Sequence, residues 1–545
     1  ISLAHIRMRW IRSRMIFRKW NVCSPLLLLF WFWSLQADPP GPPLLWNQFY
    51  TVVKADSDEE IRIIRDLHVL PGEMVHVGQD GEDNIFRMPV KYRQALSNGD
   101  YRLLGNPPFR YLDPEIDARA ASNDLNVWMR GYKDTRIIEN IAGQLERNFP
   151  DYVRVHIIGR TIEDRPIYAL KISDNPELDE NEPAFLFNGA HHGNEPLTVD
   201  YTFDLAYFLL YGHSAYPDEE GPVSRFYRES FLKQTNAVGT IHFRTERLQS
   251  ILDNHEIWIV PAVNPDGLEV FWQKNAWAGR KNARDTTSPY GWNPRDGVDL
   301  NRNYPFKWAS GDKDASSRDP GHLFYRGRGS ASEPETQAMI RLAERERFAF
   351  SLTYHCYATK ILIPYTAESS LSPIPNPAER LGRDLADEGI SNRPDREFIS
   401  VKNLYPVDGT DQDWLFFQFG TMAFIVEGSY LTPGYEPYGR LSVQGVRPIS
   451  LKAFDLFDQG PTLSIQVNNA DGLPLEAHIN IREYGFYEGE RYTTNPQNGR
   501  FDFVLLEGGQ FEVEISRDGY QTQIRKVECR AGICPLSLKL TPVRS

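Results

Sequence analysis

Cysteine is scarce in this 545-residue chain: there are four, one of them among the first 37 residues. That excludes a fold held by a dense disulfide framework, and a chain of this length needs none, since it can bury two or three ordinary cores. No apolar run is long enough for a comfortable membrane span; the longest, "CSPLLLLFWFW", starts at Cys23. There is no fixed-period repeat and no low-complexity tract, which excludes solenoids and compositional linkers. Basic residues are outnumbered, 60 Lys and Arg against 73 Asp and Glu. Six of the 60 (Arg7, Arg9, Arg12, Arg14, Arg18 and Lys19) precede the apolar run and no acid does, so the rest of the chain carries 54 against 73, a net of −19. Such a surface disfavours nucleic acid and anionic membranes as partners.

The order basic, apolar, small, ending in "SLQA", reads as a secretory signal peptide over residues 1–37, with Met8 or Met15 as a candidate start and an uncleaved anchor as the alternative. It predicts a secreted or periplasmic protein with no stable membrane insertion once the leader is removed. In that compartment Cys529 and Cys534 of "ECRAGICP" are expected to pair, the alternative being two reduced thiols. A Pro-rich junction, "ADPPGPPLLW", follows the leader. Residues 48–105 then read as a small α+β unit, strand, helix, strand, strand, helix, strand. Over residues 125–440 apolar runs such as "PAFLFNGA" and "IWIVPAVN" alternate with amphipathic helices, the pattern of an α/β domain with a mixed, mostly parallel sheet covered on both faces. From 460 to 545 short alternating runs, "TLSIQVNN" and "GQFEVEIS" among them, predict a small all-β sandwich.

Chemistry gathers at the ends of the apolar runs. In "FLFNGAHHGNEPLTVDYTF" His192 and Glu195 are three apart in a loop directly after a strand, where open α/β sheets build their sites. A catalytic Zn²⁺ takes three protein ligands from imidazole and carboxylate and keeps one position open, so a second histidine is needed. His355 of "FAFSLTYHCY", 160 residues beyond Glu195 and also just past a strand, is the candidate. Each histidine alone would read as a hydrogen-bonded loop or core residue; the rest of the constellation favours a site. "GVDLNRNYP" supplies Asp299, Asn301 and Arg302, "WAGRKN" Arg280, and "NLYPVDGTDQDW" Tyr405. Glu427 closes the apolar run "TMAFIVEGS", and a carboxylate there is costly unless it has a partner or a task, which makes it the general-base candidate.

From about Trp128 to Tyr438 the chain resembles the zinc metallocarboxypeptidases of the carboxypeptidase A/B/D family. "HGNE" matches the first metal motif in its carboxypeptidase D-like form; "IGRTIEDRPIYALKIS", "VPAVNPDG", "GVDLNRNYPFKW" and "YRGRGSASEPET" resemble segments in the same order, the last two most like bacterial secreted members. Tyr405 to Asp413 spans eight residues and Asp413 to Glu427 fourteen, as in the family pattern. The resemblance implies that His192, Glu195 and His355 hold one Zn²⁺, with Asp299 fixing the tautomer of His192. It implies that Asn301 and Arg302 grip the substrate's α-carboxylate, that Arg280 stabilises an oxyanion, that Tyr405 closes over the substrate and that Glu427 moves the proton. The activity implied is removal of the C-terminal residue from peptides or proteins. The residue aligned with the floor of the side-chain pocket is Gln412, with Thr366, Ser400 and Ile425 on the walls. A neutral floor favours neutral C-terminal residues, whereas Asp408 and Asp411, read as rim charges, would favour basic ones.

Two features depart from the digestive members: Asn194 stands where they often carry arginine, and "YGHSAYPDEEGPVSRFYRESFLKQTNAVGTIHFRTERLQ" reads as an insertion, a candidate rim, whose histidines His213 and His242, with nearby His255, read as structural or surface residues. The 48–105 unit resembles the family's activation segment, with a permanent accessory domain as the alternative, and the tail resembles the transthyretin-like sandwich of the carboxypeptidase D branch. Two other functions fit the same residues: a peptidoglycan-directed zinc peptidase, and an inactive binding module on the same fold. Oligomeric state is not legible.

Overall fold

The computed structural model describes residues 50–543 apart from the segments 68–74, 81–82, 90–91, 100, 105–112, 114, 217–239, 275–278, 287–294, 357, 393–395, 430–434 and 436–438. The leader and most of the insertion lie outside the described residues.

Strands β1 (Tyr50–Ala55), β2 (Val75–Asp80), β3 (Asp83–Pro89) and β4 (Arg102–Leu104) form an antiparallel sheet in the order β2-β3-β1-β4, interleaved with helices α1 (Ser57–Asp66) and α2 (Arg93–Asn98). Helix α1 starts where Asp56 accepts from the N–H of Glu59 at 2.8 Å while Glu59 accepts from the N–H of Asp56 at 3.1 Å, a reciprocal cap. Val53, Ala55, Ile63, Phe86, Met88, Tyr92 and Leu96 give this unit a core of its own.

The central sheet has eight strands: β5 (Val153–Arg160), β6 (Pro166–Ile172), β7 (Ala184–Asn188), β8 (Glu256–Val260), β9 (Phe350–His355), β10 (Lys360–Leu362), β11 (Ile399–Val401) and β12 (Met422–Glu427). Their order is β11-β10-β12-β9-β7-β8-β6-β5, with four parallel and three antiparallel pairings. Every residue of β7, β8, β9 and β12 is buried, so both faces are covered; this is why the body of β7, β8 and β12 reads as an apolar run, while β9 buries Ser351, Thr353 and His355 among its apolar residues. The cover comes from α3 (Thr135–Asn148), α4 (Leu197–Tyr211), α5 (Thr240–Leu252), α6 (Pro334–Glu346), α7 (Pro377–Glu388), α8 (Asp411–Phe419) and α9 (Arg440–Gln459). Helix α3 is capped by Asp134, whose carboxylate accepts from the N–H of Ile137 at 2.9 Å. Helix α4 stops at Gly212, whose φ of 72° places it in the left-handed region that glycine adopts without strain. Strands β7, β9 and β12 are adjacent and parallel, with Asn188 opposite Thr353 and His355 opposite Glu427, so their carboxyl ends meet at one edge.

The tail is two three-stranded sheets. Strands β13 (Thr462–Asn468), β15 (Arg500–Val504) and β18 (Ile533–Lys539) make one, and β14 (His478–Ile481), β16 (Gly509–Ser516) and β17 (Gln523–Cys529) the other. Their buried side chains continue the core of the central domain. Cys529 and Cys534 form a disulfide across the β17–β18 turn, and Cys356 is free and buried. No helix among the described residues is long and apolar enough to cross a membrane.

Candidate active site and metal centre

The loop after β7 turns back tightly, the N–H of Glu195 donating to the carbonyl of His192 at 3.1 Å. Gly193 makes that turn possible: a Cβ there would stand 2.0 Å from the backbone nitrogen of Leu268, and its N–H donates to Gly279 O at 2.7 Å. His192 Nδ1 lies 2.9 Å from Glu195 Oε1, His355 Nδ1 lies 3.0 Å from Glu195 Oε2, and the two Nδ1 atoms are 3.2 Å apart. All three side chains are buried. Donors about 2.1 Å from a tetrahedral Zn²⁺ stand about 3.4 Å from one another, so this two-histidine, one-carboxylate set fits the ion in both kind and spacing.

Asp299 sits behind His192. Its carboxylate is 3.1 Å from His192 Nε2 and accepts from Arg280 Nε at 2.9 Å and from the N–H of Asn301 at 3.1 Å. Burial alone would raise the Asp299 carboxyl, yet Arg280, Arg302 and His192 hold it well below the usual carboxylate range. Glu195 is likewise pushed up by burial and drawn, on balance, well down by the two histidines. Arg280 also reaches 3.3 Å from His192 Nδ1. The side-chain amide of Asn301 spans His355 Nε2 at 3.2 Å and the N–H of Asp411 at 3.0 Å. Arg302 is locked by donating to Ala315 O at 3.1 Å and Asn301 O at 2.7 Å, which leaves Nη2, 3.5 Å from the Tyr405 hydroxyl. Glu427 is 9% exposed and its Oε2 has no hydrogen-bond partner among the described residues. Burial and the Glu195 carboxylate push it up to about 8, against the pull of Arg280 and Arg302. Tyr405 is 42% exposed at the mouth.

One cavity is lined by His192, His355, Arg280, Asn301, Arg302, Tyr405 and Glu427 together with Leu362, Thr366, Val407, Thr410 and Ile425. Of the four residues assigned from sequence to the side-chain pocket, Thr366 and Ile425 are in this lining and the other two are not. Gln412 lies one layer behind, fully buried, its amide donating to Thr366 Oγ1 at 2.9 Å, because the first turn of α8 points it into the body. Ser400 Oγ lies 2.6 Å from where a Cβ on Gly382 would stand, so its hydroxyl faces α7. Asp408 and Asp411 are not rim charges. Both are buried, Asp408 accepting from the Ser310 N–H at 3.1 Å and hydroxyl at 2.9 Å, and Asp411 from the Thr353 hydroxyl. Near the insertion, His255 is structural, bonded to Ile251 O and Asp458 at 3.0 Å each, and His213 is exposed. The side chain of His242 lies outside the described residues.

Two residues at the site were not legible beforehand. Phe324 places its ring 5.2 Å from both the Arg280 and the Arg302 guanidinium and stacks on Tyr405 at 5.8 Å, so one aromatic ring stands beside two like charges. It directly precedes "YRGRG", and an aromatic beside that basic run was the only signal. His191, next to the first ligand candidate, is buried with Nε2 2.9 Å from the Tyr304 hydroxyl.

Residues 138–433, over half of the chain, match the zinc carboxypeptidase family. The chain belongs to that family. This carboxypeptidase is 24% identical over 385 residues to a zinc carboxypeptidase of Saccharothrix mutabilis subsp. capreolus, covering 66% of this chain and 78% of that protein. It is 23% identical over 382 residues to human mast cell carboxypeptidase A, covering 67% and 81%. Among solved structures it is similar to thrombin activatable fibrinolysis inhibitor, with a TM-score of 0.49 at 18% identity over 74% of this chain and 98% of that one. Membership makes the protein a hydrolase that acts on peptide C-termini and uses a zinc ion, for which the His-Glu-His cluster is a fitting site.

Proposed function

We propose that the chain is an exported carboxypeptidase that removes neutral residues from the C-termini of peptides or proteins, with Glu427 as general base. The observation that carries this reading is one cavity lined by His192 and His355, with Glu195 bonded to both behind its wall, by the buried Glu427, whose Oε2 has no partner among the described residues, and by the locked fork of Arg302.

His192 and His355 would hold Zn²⁺ through Nδ1, with Glu195 as the third ligand, and Asp299 would keep the proton of His192 on Nε2 so that Nδ1 stays free. When bound, the ion supplies Lewis acidity to a water and to the scissile carbonyl. Arg302 Nη2 and the amide of Asn301 bind the substrate's free carboxylate, a charge-assisted contact that an amidated terminus cannot make. Arg280, already oriented by Asp299, faces the oxygen on which negative charge develops. Glu427 accepts a proton from the attacking water and returns one to the leaving amine. Pushed up to about 8, its carboxyl is mostly protonated near neutral pH; a dication alongside would draw it down into the range where the carboxylate can accept that proton. Tyr405 closes the mouth.

In this reading residues 1–37 are a signal peptide, 48–105 a removable activation segment, 125–440 the catalytic domain and 460–545 a transthyretin-like sandwich. The separate core of the first folded unit supports its removal as a piece, and the Cys529–Cys534 disulfide supports an oxidising compartment. N-terminal sequencing of exported protein checks the leader; a mature product still carrying the apolar run would remove it. The intact ligand set and Glu427 argue against an inactive binding module. The deciding experiment is mass spectrometry of a mixed pool of peptides and muropeptides incubated with zinc-loaded protein. Loss of single C-terminal residues from ordinary peptides, abolished by chelation, is expected; turnover of muropeptides alone would replace the reading.

A further inference from the structure

The wall of the side-chain pocket is held from two directions. On the inner side Thr366 donates its N–H to Asp413 at 2.8 Å and its hydroxyl at 2.9 Å, while its carbonyl accepts from Asn403 at 2.9 Å. On the outer side the preceding residue, Tyr365, is fully buried and donates its hydroxyl to Glu490 Oε1 at 2.6 Å, and Glu490 belongs to the C-terminal sandwich, 125 residues away. The Tyr365 ring stacks on Phe306 at 4.6 Å. Around it, Glu488 pairs with Lys307 at 2.6 Å and accepts from the N–H of Leu371 at 2.7 Å, and Gly485 and Ile374 exchange backbone bonds of 2.8 and 3.0 Å. The sandwich loop 485–490 therefore clasps the segment 365–374, whose first residues form the pocket wall.

A carboxylate that accepts from a buried phenol fixes that ring's position more firmly than apolar packing does, because rotation would strand a buried hydroxyl. Tyr365 and Thr366 share a peptide unit, so a shift of the ring moves Thr366 against Asp413. We propose that Glu490 is a positioning residue for substrate selection: acting through Tyr365, the C-terminal sandwich sets the shape of the pocket that receives the C-terminal side chain. This rests on the carboxypeptidase reading of the cleft. It gives the sandwich a part in the reaction, and the enzyme's selectivity depends on residues outside its catalytic domain.

The test compares Glu490→Gln, Tyr365→Phe and the double variant with Arg380→Met, in the full zinc-loaded chain. Arg380 bonds the carbonyls of Leu505 and Leu506 elsewhere on the same interface, so its loss weakens docking without touching Tyr365. For peptides ending in Leu or Ala, the ratio of kcat/KM is expected to fall about fivefold or more in both single variants, through KM with kcat nearly unchanged, and no further in the double variant. Arg380→Met should lower thermal stability and keep the ratio. Hydrogen exchange gives an arm independent of turnover: amides of segment 361–371 should exchange faster in Glu490→Gln and not in Arg380→Met. Equal ratios or equal exchange in these two variants overturn the inference. Failure of the wild type to release any C-terminal residue defeats the carboxypeptidase reading instead, and the exchange arm still decides the clasp.

Discussion

Replacing Glu427 by glutamine separates chemistry from stability in opposite directions. Glutamine keeps the volume and breaks no bond at Oε2, which has no partner among the described residues, so the fold tolerates it. The carboxyl, pushed from 4.5 up to about 8, binds its proton more tightly in the folded than in the unfolded chain. Below about pH 4.5 both states are protonated and the group costs nothing. As pH rises towards 8 the unfolded chain loses this proton first, so stability falls across that window, by roughly 3–5 kcal/mol when complete. The metal-free Glu427→Gln variant, which never ionises, should therefore be more stable than wild type at pH 8 and equal to it near pH 4, measured by urea unfolding after chelation. With zinc loaded, kcat should drop by about 10²–10⁴ with KM little changed. A variant that keeps a tenth of wild-type kcat refutes the general-base role, and a stability gain of the same size at both pH values refutes the buried, unpaired carboxylate.

Arg302→Ala should raise KM for free-acid peptides by about thirtyfold or more, the loss of a buried charge-assisted contact, and leave the slow turnover of amidated peptides unchanged; equal losses on both would remove the carboxylate grip. On peptides differing only in the last residue, Leu and Phe should exceed Lys and Arg in kcat/KM. The carboxylates of Asp408 and Asp411 are engaged inside the body, and desolvating a lysine with no close partner costs several kcal/mol. A tenfold preference for Lys or Arg would sink that assignment. Cleavage of the chain between about Leu104 and Val127 should raise activity if residues 48–105 cap the cleft, and no gain after a confirmed cut, followed by gel and by rate, would make the unit a permanent accessory domain.

What the sequence alone could determine follows from local periodicity and motif order. Runs such as "AFLFN" and "MAFIVE" are apolar up to their last residue because both of their faces are covered, so they announce a central sheet without any knowledge of its neighbours. His355 and Glu427 end β9 and β12, His192 and Glu195 follow β7 in its loop, and parallel pairing of these adjacent strands brings their carboxyl ends together, which is why the metal cluster was legible. Side-chain direction in loops and first helical turns obeys no such period. Gln412, Asp408 and Asp411 lie in one stretch whose residues read as pocket and rim, yet the turn into α8 sends all three inward, to Thr366, Ser310 and Thr353. Phe324 beside two arginines and Glu490 against Tyr365 depend on segments far apart in the chain meeting at one point. Those contacts exist only once the sheet has closed and the sandwich has docked, because no local pattern encodes which buried hydroxyl a distant carboxylate will satisfy.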